Sequence, residues 1–253
     1  MRCPKSAGTS GIFRFLSFCL LFAVTLGCCT LLAHGAVTVT ASGAPPEGKS
    51  DSAEDLPSLP TVILDAGHGG EDGGTTGVSG VLEKDLNLSI AKKLEVLLTA
   101  AGFPVIMTRT EDILLYDRNV DYHGKKKVLD LAARLKVAQE HPDAIFVSIH
   151  MNAYPQAKYS GLQVYYSPNS PESERLAERI QALTAEALMP ENHRKIKPSG
   201  GKIFLLDKMQ NPSILIECGF LSNPGECQAL ERESYQEELA AAIFAAIAGT
   251  TEA

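Results

Sequence analysis

Four residues stand where catalytic groups stand in an open α/β sheet, at or just beyond the ends of short apolar runs. His68 follows the run Thr61–Asp65 in the segment ILDAGHGGEDGG, His150 directly follows Ala144–Ile149, and Glu217 directly follows Ile214–Ile216. Glu83 opens the first long amphipathic stretch, where the chain returns beside the first run. Two imidazoles and one carboxylate form a zinc set that leaves the fourth position to water, the arrangement of catalytic rather than structural sites. Water on zinc loses a proton near neutral pH and attacks a carbonyl, provided that a carboxylate takes the proton and hands it to the leaving amine. Glu217 is the candidate for that task, because a carboxylate on so apolar a run is costly unless it is paired or used.

Each choice has a bland rival. A histidine after a strand is more often a satisfied structural residue, and a glutamate at a helix start is a favourable charge near the helix dipole; only the conjunction of the four carries the chemistry. His123 sits among glycine and lysines, His141 precedes Pro142, and His193 lies in a basic stretch, so all three read as surface residues. An esterase reading of the HGG segment fails, because no G-x-S-x-G nucleophile turn follows. Cys218 beside Glu217 reads as a small core residue rather than a nucleophile.

The elements that position these residues follow from periodicity. Thr61–Asp65, Val105–Thr108 and Ala144–Ile149 read as buried strands; Leu162–Tyr166, Ile203–Leu206 and Ile214–Ile216 add three more. Leu86, Ile90, Leu94 and Leu97 recur at helical spacing and Gly102 ends their pattern; Val128–Glu140, Glu172–Leu188 and Tyr235–Ala248 read as further helices. Strands alternating with helices predict an α/β class, a single domain with a mostly parallel mixed sheet and helices on both faces.

The formal charge of −7 excludes a polyanion-binding surface of clustered Lys and Arg, and hence nucleic acid as a partner; the one basic run, Lys125–Lys127, reads as a solvated loop. Arg2, Lys5 and Arg14 precede nineteen uncharged, mostly apolar residues, Phe15–Ala33, close to the roughly 20 that cross a bilayer. Residues 1–35 are therefore expected to be a signal or membrane anchor, the length favouring an uncleaved anchor. The charges before it place the remainder of the chain outside the membrane, either anchored there or secreted to the wall. Cys28 sits at a poor version of a lipoprotein acceptor site. Residues 36–60, rich in Ala, Ser, Gly, Pro, Asp and Glu, read as a disordered linker, leaving 61–250 as the catalytic domain. Of six cysteines only Cys218 and Cys227 fall in that domain, in apolar or helical context, which is not a disulfide framework.

The segments ILDAGHGGEDGG, VLEKDLNLSIAKKL, FVSIHMNA and ILIECGFLSNPGE together resemble the zinc-dependent N-acetylmuramoyl-L-alanine amidases of bacterial cell walls, over about Thr61 to Ala248. The resemblance implies one zinc ion per chain on His68, Glu83 and His150, with Glu217 as the catalytic carboxylate. It also implies peptidoglycan as substrate, cleaved at the amide between the lactyl group of N-acetylmuramic acid and the L-alanine of the stem peptide. Arg109 matches a family position near the cleft and Arg134 another on a helix, leaving open a substrate-binding or a salt-bridging role for each; Asn152, a third substrate-binding candidate, is expected to shape the loop after His150, and Asn223 the turn before the last helices. Where autoinhibited members insert a blocking helix, this chain has only Pro155–Gly161, too short to plug the site. The run RKIKPSGGKIFLLDKMQNPSILIECGFLSN and the short layout most resemble the amidases that prepare muramic-lactam in spore cortex. Without a wall-binding repeat, anchoring or a protein partner would supply localisation. The alternatives are a non-catalytic wall-binding module, or a zinc peptidase cutting within the stem peptide.

Overall fold

The computed structural model describes residues 59–117, 119 and 123–250. The expected anchor, the Cys28 acceptor site and nearly all of the linker lie outside these residues. Among the described residues no helix is long and apolar enough to cross a membrane.

Among the described residues six strands form one sheet: β1 (Val62–Ala66), β2 (Val105–Met107), β3 (Ile145–Asn152), β4 (Gln163–Tyr166), β5 (Lys197–Pro198) and β6 (Ser213–Phe220), in the order β2-β1-β3-β6-β4-β5. All pairings are parallel except β4 with β6, which is the mixed, mostly parallel sheet expected. The helices are α1 (Glu83–Ala100), α2 (Lys126–Glu140), α3 (Pro171–Leu188), α4 (Phe204–Lys208), α5 (Pro224–Glu231) and α6 (Glu233–Ala248). Because side chains alternate across a strand, β1, β3 and β6 feed two cores. Val62, Leu64, Val147, Ile149, Ile214 and Ile216 pack with α1, α3 and α6, whereas Ile63 and Phe146 pack with Ala138 of α2 and with Leu205 and Met209. Helices therefore cover both faces, and the strands are buried on both sides, as their unbroken apolar composition requires.

One strand expected from the sequence is absent. The apolar run Ile203–Leu206 predicts extended chain, but Phe204–Lys208 forms α4. The place beside β4 is occupied by Lys197–Pro198, and helical spacing turns Leu205, Leu206 and Met209 inward together. The connection from β3 to β4 contains no helix.

One group of charges within this apolar body pairs internally. Asp65 is fully buried on β1 and accepts from Thr108 Oγ1 at 2.8 Å, Ser148 Oγ at 2.6 Å and Arg134 Nη1. Arg134, itself buried, also donates from Nε to Asp130 Oδ2 at 2.8 Å. Burial pushes the Asp65 carboxyl upward, but Arg134 and the Ser148 hydroxyl more than offset it and hold it below its ordinary value. Removing one partner of such a pair leaves an uncompensated buried charge. Arg134→Met should therefore lower unfolding stability by about 3 to 5 kcal/mol in urea titrations; a loss under about 1 kcal/mol would contradict a buried pair.

Candidate metal centre

β1 ends beside the middle of β3, and β3 and β6 run on past it together. Ala66 is opposite Ile149, His150 is opposite Glu217, and the Gly67 amide donates to the Ile149 carbonyl at 3.1 Å. This register sets the Gly67-His68 turn, His150 and Glu217 side by side at the carboxyl edge of the sheet. A β-bulge lies between His150 and Asn152, where such irregularities re-aim side chains.

Glu83 arrives from α1. The amides of Glu83 and Lys84 donate to the carbonyls of Thr75 and Gly73, which ties the helix start to the loop after His68. Its carboxylate accepts from Thr75 N at 2.8 Å through Oε2 and from Met151 N at 3.0 Å through Oε1. Oε1 also lies 3.2 Å from His68 Nε2 and 2.9 Å from His150 Nδ1. One ligand atom from each of these three residues therefore converges, all within 4.8 Å of one another. Burial alone would raise the Glu83 carboxyl, but contacts from His150 and then His68 hold it far below the ordinary carboxylate range. His68 is shifted upward: burial works against its charged form, and Glu83 and then Asp72 outweigh it. Asp72 Oδ2, 2.9 Å from His68 Nδ1, orients the ring from behind, as outer partners of ligating imidazoles do.

The backbone around His68 is held in an unusual state. His68 itself has φ 60°, the left-handed region that side chains other than glycine rarely adopt, at a cost of roughly 1 to 2 kcal/mol. The three carbonyls of Ala66, Gly67 and His68 are each clamped. Arg109 donates to Ala66 O at 2.8 Å and Gly67 O at 3.0 Å; Arg134 donates to Ala66 O at 2.9 Å and His68 O at 2.7 Å. Both arginines are 2% exposed, and Arg109 also donates to the carbonyls of Lys84 and Glu111. The donors of both arginines are engaged by the protein itself, and Arg134 also lines the cavity beside His68 and His150. Asn152 sits at the end of β3, where its carbonyl accepts from Leu221 N at 2.8 Å and fixes the following loop. Asn223 caps α5, accepting from the amides of Gly225 and Glu226.

Glu217 contrasts with Glu83. Its Oε2 is buried without a hydrogen-bond partner, an expensive state for a carboxylate. Burial first, with the neighbouring Glu83 charge reinforcing it and the His150 and His68 rings opposing it, pushes the carboxyl up to about 7. The two carboxylates beside the imidazoles are thereby set apart, one engaged by donors and one left unsatisfied. A divalent cation fits this donor set: two imidazole nitrogens and one carboxylate oxygen, with the Glu217 carboxyl across the strand pair and, among the described residues, no further side chain closing the set. His123, His141 and His193 are exposed, as expected, and Cys218 and Cys227 are free and buried. A cavity of about 290 Å3 opens against His68 and His150, bounded by Leu131 of α2 and by Phe204 and Leu205 of α4.

Several functional neighbours escape the reading of motifs. Asp72, Asn87 and Asp130 carry no signal that singles them out, although Asp65 does, being an acid within an apolar run. Asn87 is fully buried one turn after Glu83, on the apolar side of α1, and donates to Gly67 O at 3.1 Å. A buried asparagine on that side marks a polar obligation in the fold.

Comparison with known proteins places this geometry. Residues 62–249 match the family model described as N-acetylmuramoyl-L-alanine amidase. The chain is 38% identical over 186 residues to the germination-specific N-acetylmuramoyl-L-alanine amidase of Bacillus subtilis, covering 74% of this chain and 77% of that protein. It is 31% identical over 185 residues to the amidase LytC of the same organism, covering 72% of this chain and 34% of that longer protein. Among solved structures it is similar to the CwlD amidase of Clostridioides difficile in complex with the GerS lipoprotein. That match has 40% identity and a TM-score of 0.72, covering 76% of this chain and 98% of that one.

Two outcomes test the centre. A Cβ on Gly67 would lie 2.2 Å from His150 Nε2, so the ring must give way. Gly67→Ala should keep a cooperative thermal transition while binding metal at least about tenfold more weakly by calorimetric titration; unchanged affinity would show that the ring is not held there. Glu217 has a folded-state value of about 7, above its ordinary 4.5. Its cost to folding is therefore absent below pH 4.5, grows between these values and is complete above 7. In metal-stripped protein, Glu217→Gln should be more stable than the parent at about pH 8, by on the order of 2 kcal/mol, and no more stable at about pH 4. Equal stability at both would refute the buried, unpartnered carboxylate.

Proposed function

We propose, for a chain that belongs to the N-acetylmuramoyl-L-alanine amidase family, that one zinc ion on His68, Glu83 and His150 is its catalytic metal and Glu217 its general base. The protein is an amide hydrolase acting on bacterial peptidoglycan. What carries the zinc reading is the convergence of the three ligand atoms beside a carboxylate oxygen that is buried and unpartnered.

Zinc bound there supplies a Lewis acid that polarises the carbonyl and makes water a nucleophile at neutral pH. The chain's own groups do the rest. Glu217, across the strand pair from His150, takes one proton from the attacking water and delivers it to the alanine nitrogen as the carbon–nitrogen bond breaks. The products are a free lactyl carboxylate and a free L-alanine amino terminus. A carboxyl poised near neutrality is suited to both halves of that transfer. Asp72 holds the His68 ring, and Arg109 and Arg134 act through the loop carbonyls rather than on substrate.

We extend the proposal to the whole chain. Residues 61–250 form the catalytic domain, 36–60 a linker, and 1–35 a signal or anchor that delivers the domain outside the cytoplasmic membrane. A role in spore cortex maturation is supported by the germination-specific relative and by the similarity to CwlD. The CwlD complex with a lipoprotein supports a protein partner for localisation.

Digestion of purified peptidoglycan by the full chain should release stem peptides with free L-alanine amino termini, and chelation should abolish the release. Glu217→Gln should retain zinc and lose at least about a thousandfold in turnover, whereas His150→Ala should lose zinc. The reverse pattern in metal analysis would overturn the assignment, and ends inside the peptide would instead indicate a zinc peptidase.

A further inference from the structure

The cavity against His68 and His150 has a second wall that hydrolysis does not use, built by Lys202 and Phe204. It begins at a turn whose shape is imposed from within. Gly200 and Gly201 both have positive φ, 59° and 77°, and the Lys202 amide closes the turn on Ser199 O at 3.1 Å. Asp207 of α4 then pins it, accepting from Gly201 N at 3.2 Å and from the Ser199 hydroxyl. Lys202 is thus carried on a braced turn at the rim of the cavity, exposed, while Phe204 beside it keeps 44% of its surface open.

The three carboxylates of this cavity are all engaged by other groups. Asp65 and Asp130 are committed to Arg134, and Asp72 to His68. A second lysine, Lys127, stands 4.0 Å from Asp72 and shares that carboxylate. Among the described residues no carboxylate pairs with Lys202, so its ammonium stands at the cavity as a cation without a carboxylate partner. The substrate can supply the missing anion on one side only. The N-acetylated sugars are neutral and the lactyl carboxyl is consumed in the amide, so the carboxylates near the cleaved bond belong to the peptide.

We propose that Lys202 is a specificity-determining residue that pairs with a carboxylate on the peptide side of the cleaved amide. The inference rests on the amidase reading of the same cavity. A lysine on a braced turn loses less freedom on pairing than one on a mobile loop.

The test uses the full chain with added zinc and a matched pair of muropeptides, one with a free carboxyl on the second peptide residue and one with that carboxyl amidated. The parent should favour the free carboxyl roughly tenfold in kcat/KM, mostly through KM, and the preference should shrink with added salt. In Lys202→Met the ratio should fall toward one. Lys202→Arg should preserve most of it, and Lys208→Met, at the far end of α4, all of it. A parent that cleaves both substrates equally, or a Lys202→Met variant that keeps the parent's ratio, would overturn the inference and leave the amidase reading intact. A parent that cleaves neither would overturn both.

Discussion

The parallel register of β1, β3 and β6 is the constraint on which the centre depends. Side chains alternate along a strand, so a slip of one residue between β3 and β6 would turn either His150 or Glu217 to the opposite face. The register is secured by apolar residues on both faces, Leu64, Val147 and Ile216 against one helical layer and Ile63 and Phe146 against the other. The same burial that fixes the register makes any charge at the strand ends expensive. Packing and chemistry are therefore coupled: the hydrophobic cores that align the strands also create the dry surroundings in which the polar residues act.

Within those surroundings the fold treats two glutamates in opposite ways. Glu83 accepts from two backbone amides and faces two imidazoles, so its charge is stabilised and its geometry determined. Glu217, opposite His150, has an oxygen with no partner and a carboxyl shifted toward neutrality. A ligand must remain charged and still, whereas a base must exchange a proton near ambient pH. The difference comes from the donors each carboxylate meets, above all the two imidazoles hydrogen-bonded to Glu83, since the residue type is the same.

A second layer of charge makes the first possible. The left-handed His68 would relax if its loop were free, and the guanidiniums of Arg109 and Arg134 prevent that by holding the carbonyls of Ala66, Gly67 and His68. Asp65 and Asp130 in turn hold Arg134. The arginines carry the clearest lesson about sequence motifs. Both brace the loop after β1 through its carbonyls, and Arg134 also lines the cavity beside His68 and His150.

From the residues alone, the α/β class, the strands that matter and the four central residues were legible. Each signal was local: an unbroken apolar run bounded by glycine is a buried strand, and a charge ending such a run needs a use. Local signals failed at Ile203–Leu206, whose apolar run suits a strand or a helix; β5 beside β4 left it no sheet position. They failed again for Asp72, Asn87 and Asp130, ordinary polar residues until the chain is folded around them. What tertiary structure alone decided is the pairing: which imidazole nitrogen faces Glu83, which carboxylate stays unpartnered, and that both arginines turn inward. Those outcomes depend on contacts between residues about 40 to 70 positions apart, and no local pattern encodes the orientation of two side chains that meet only when the sheet has formed.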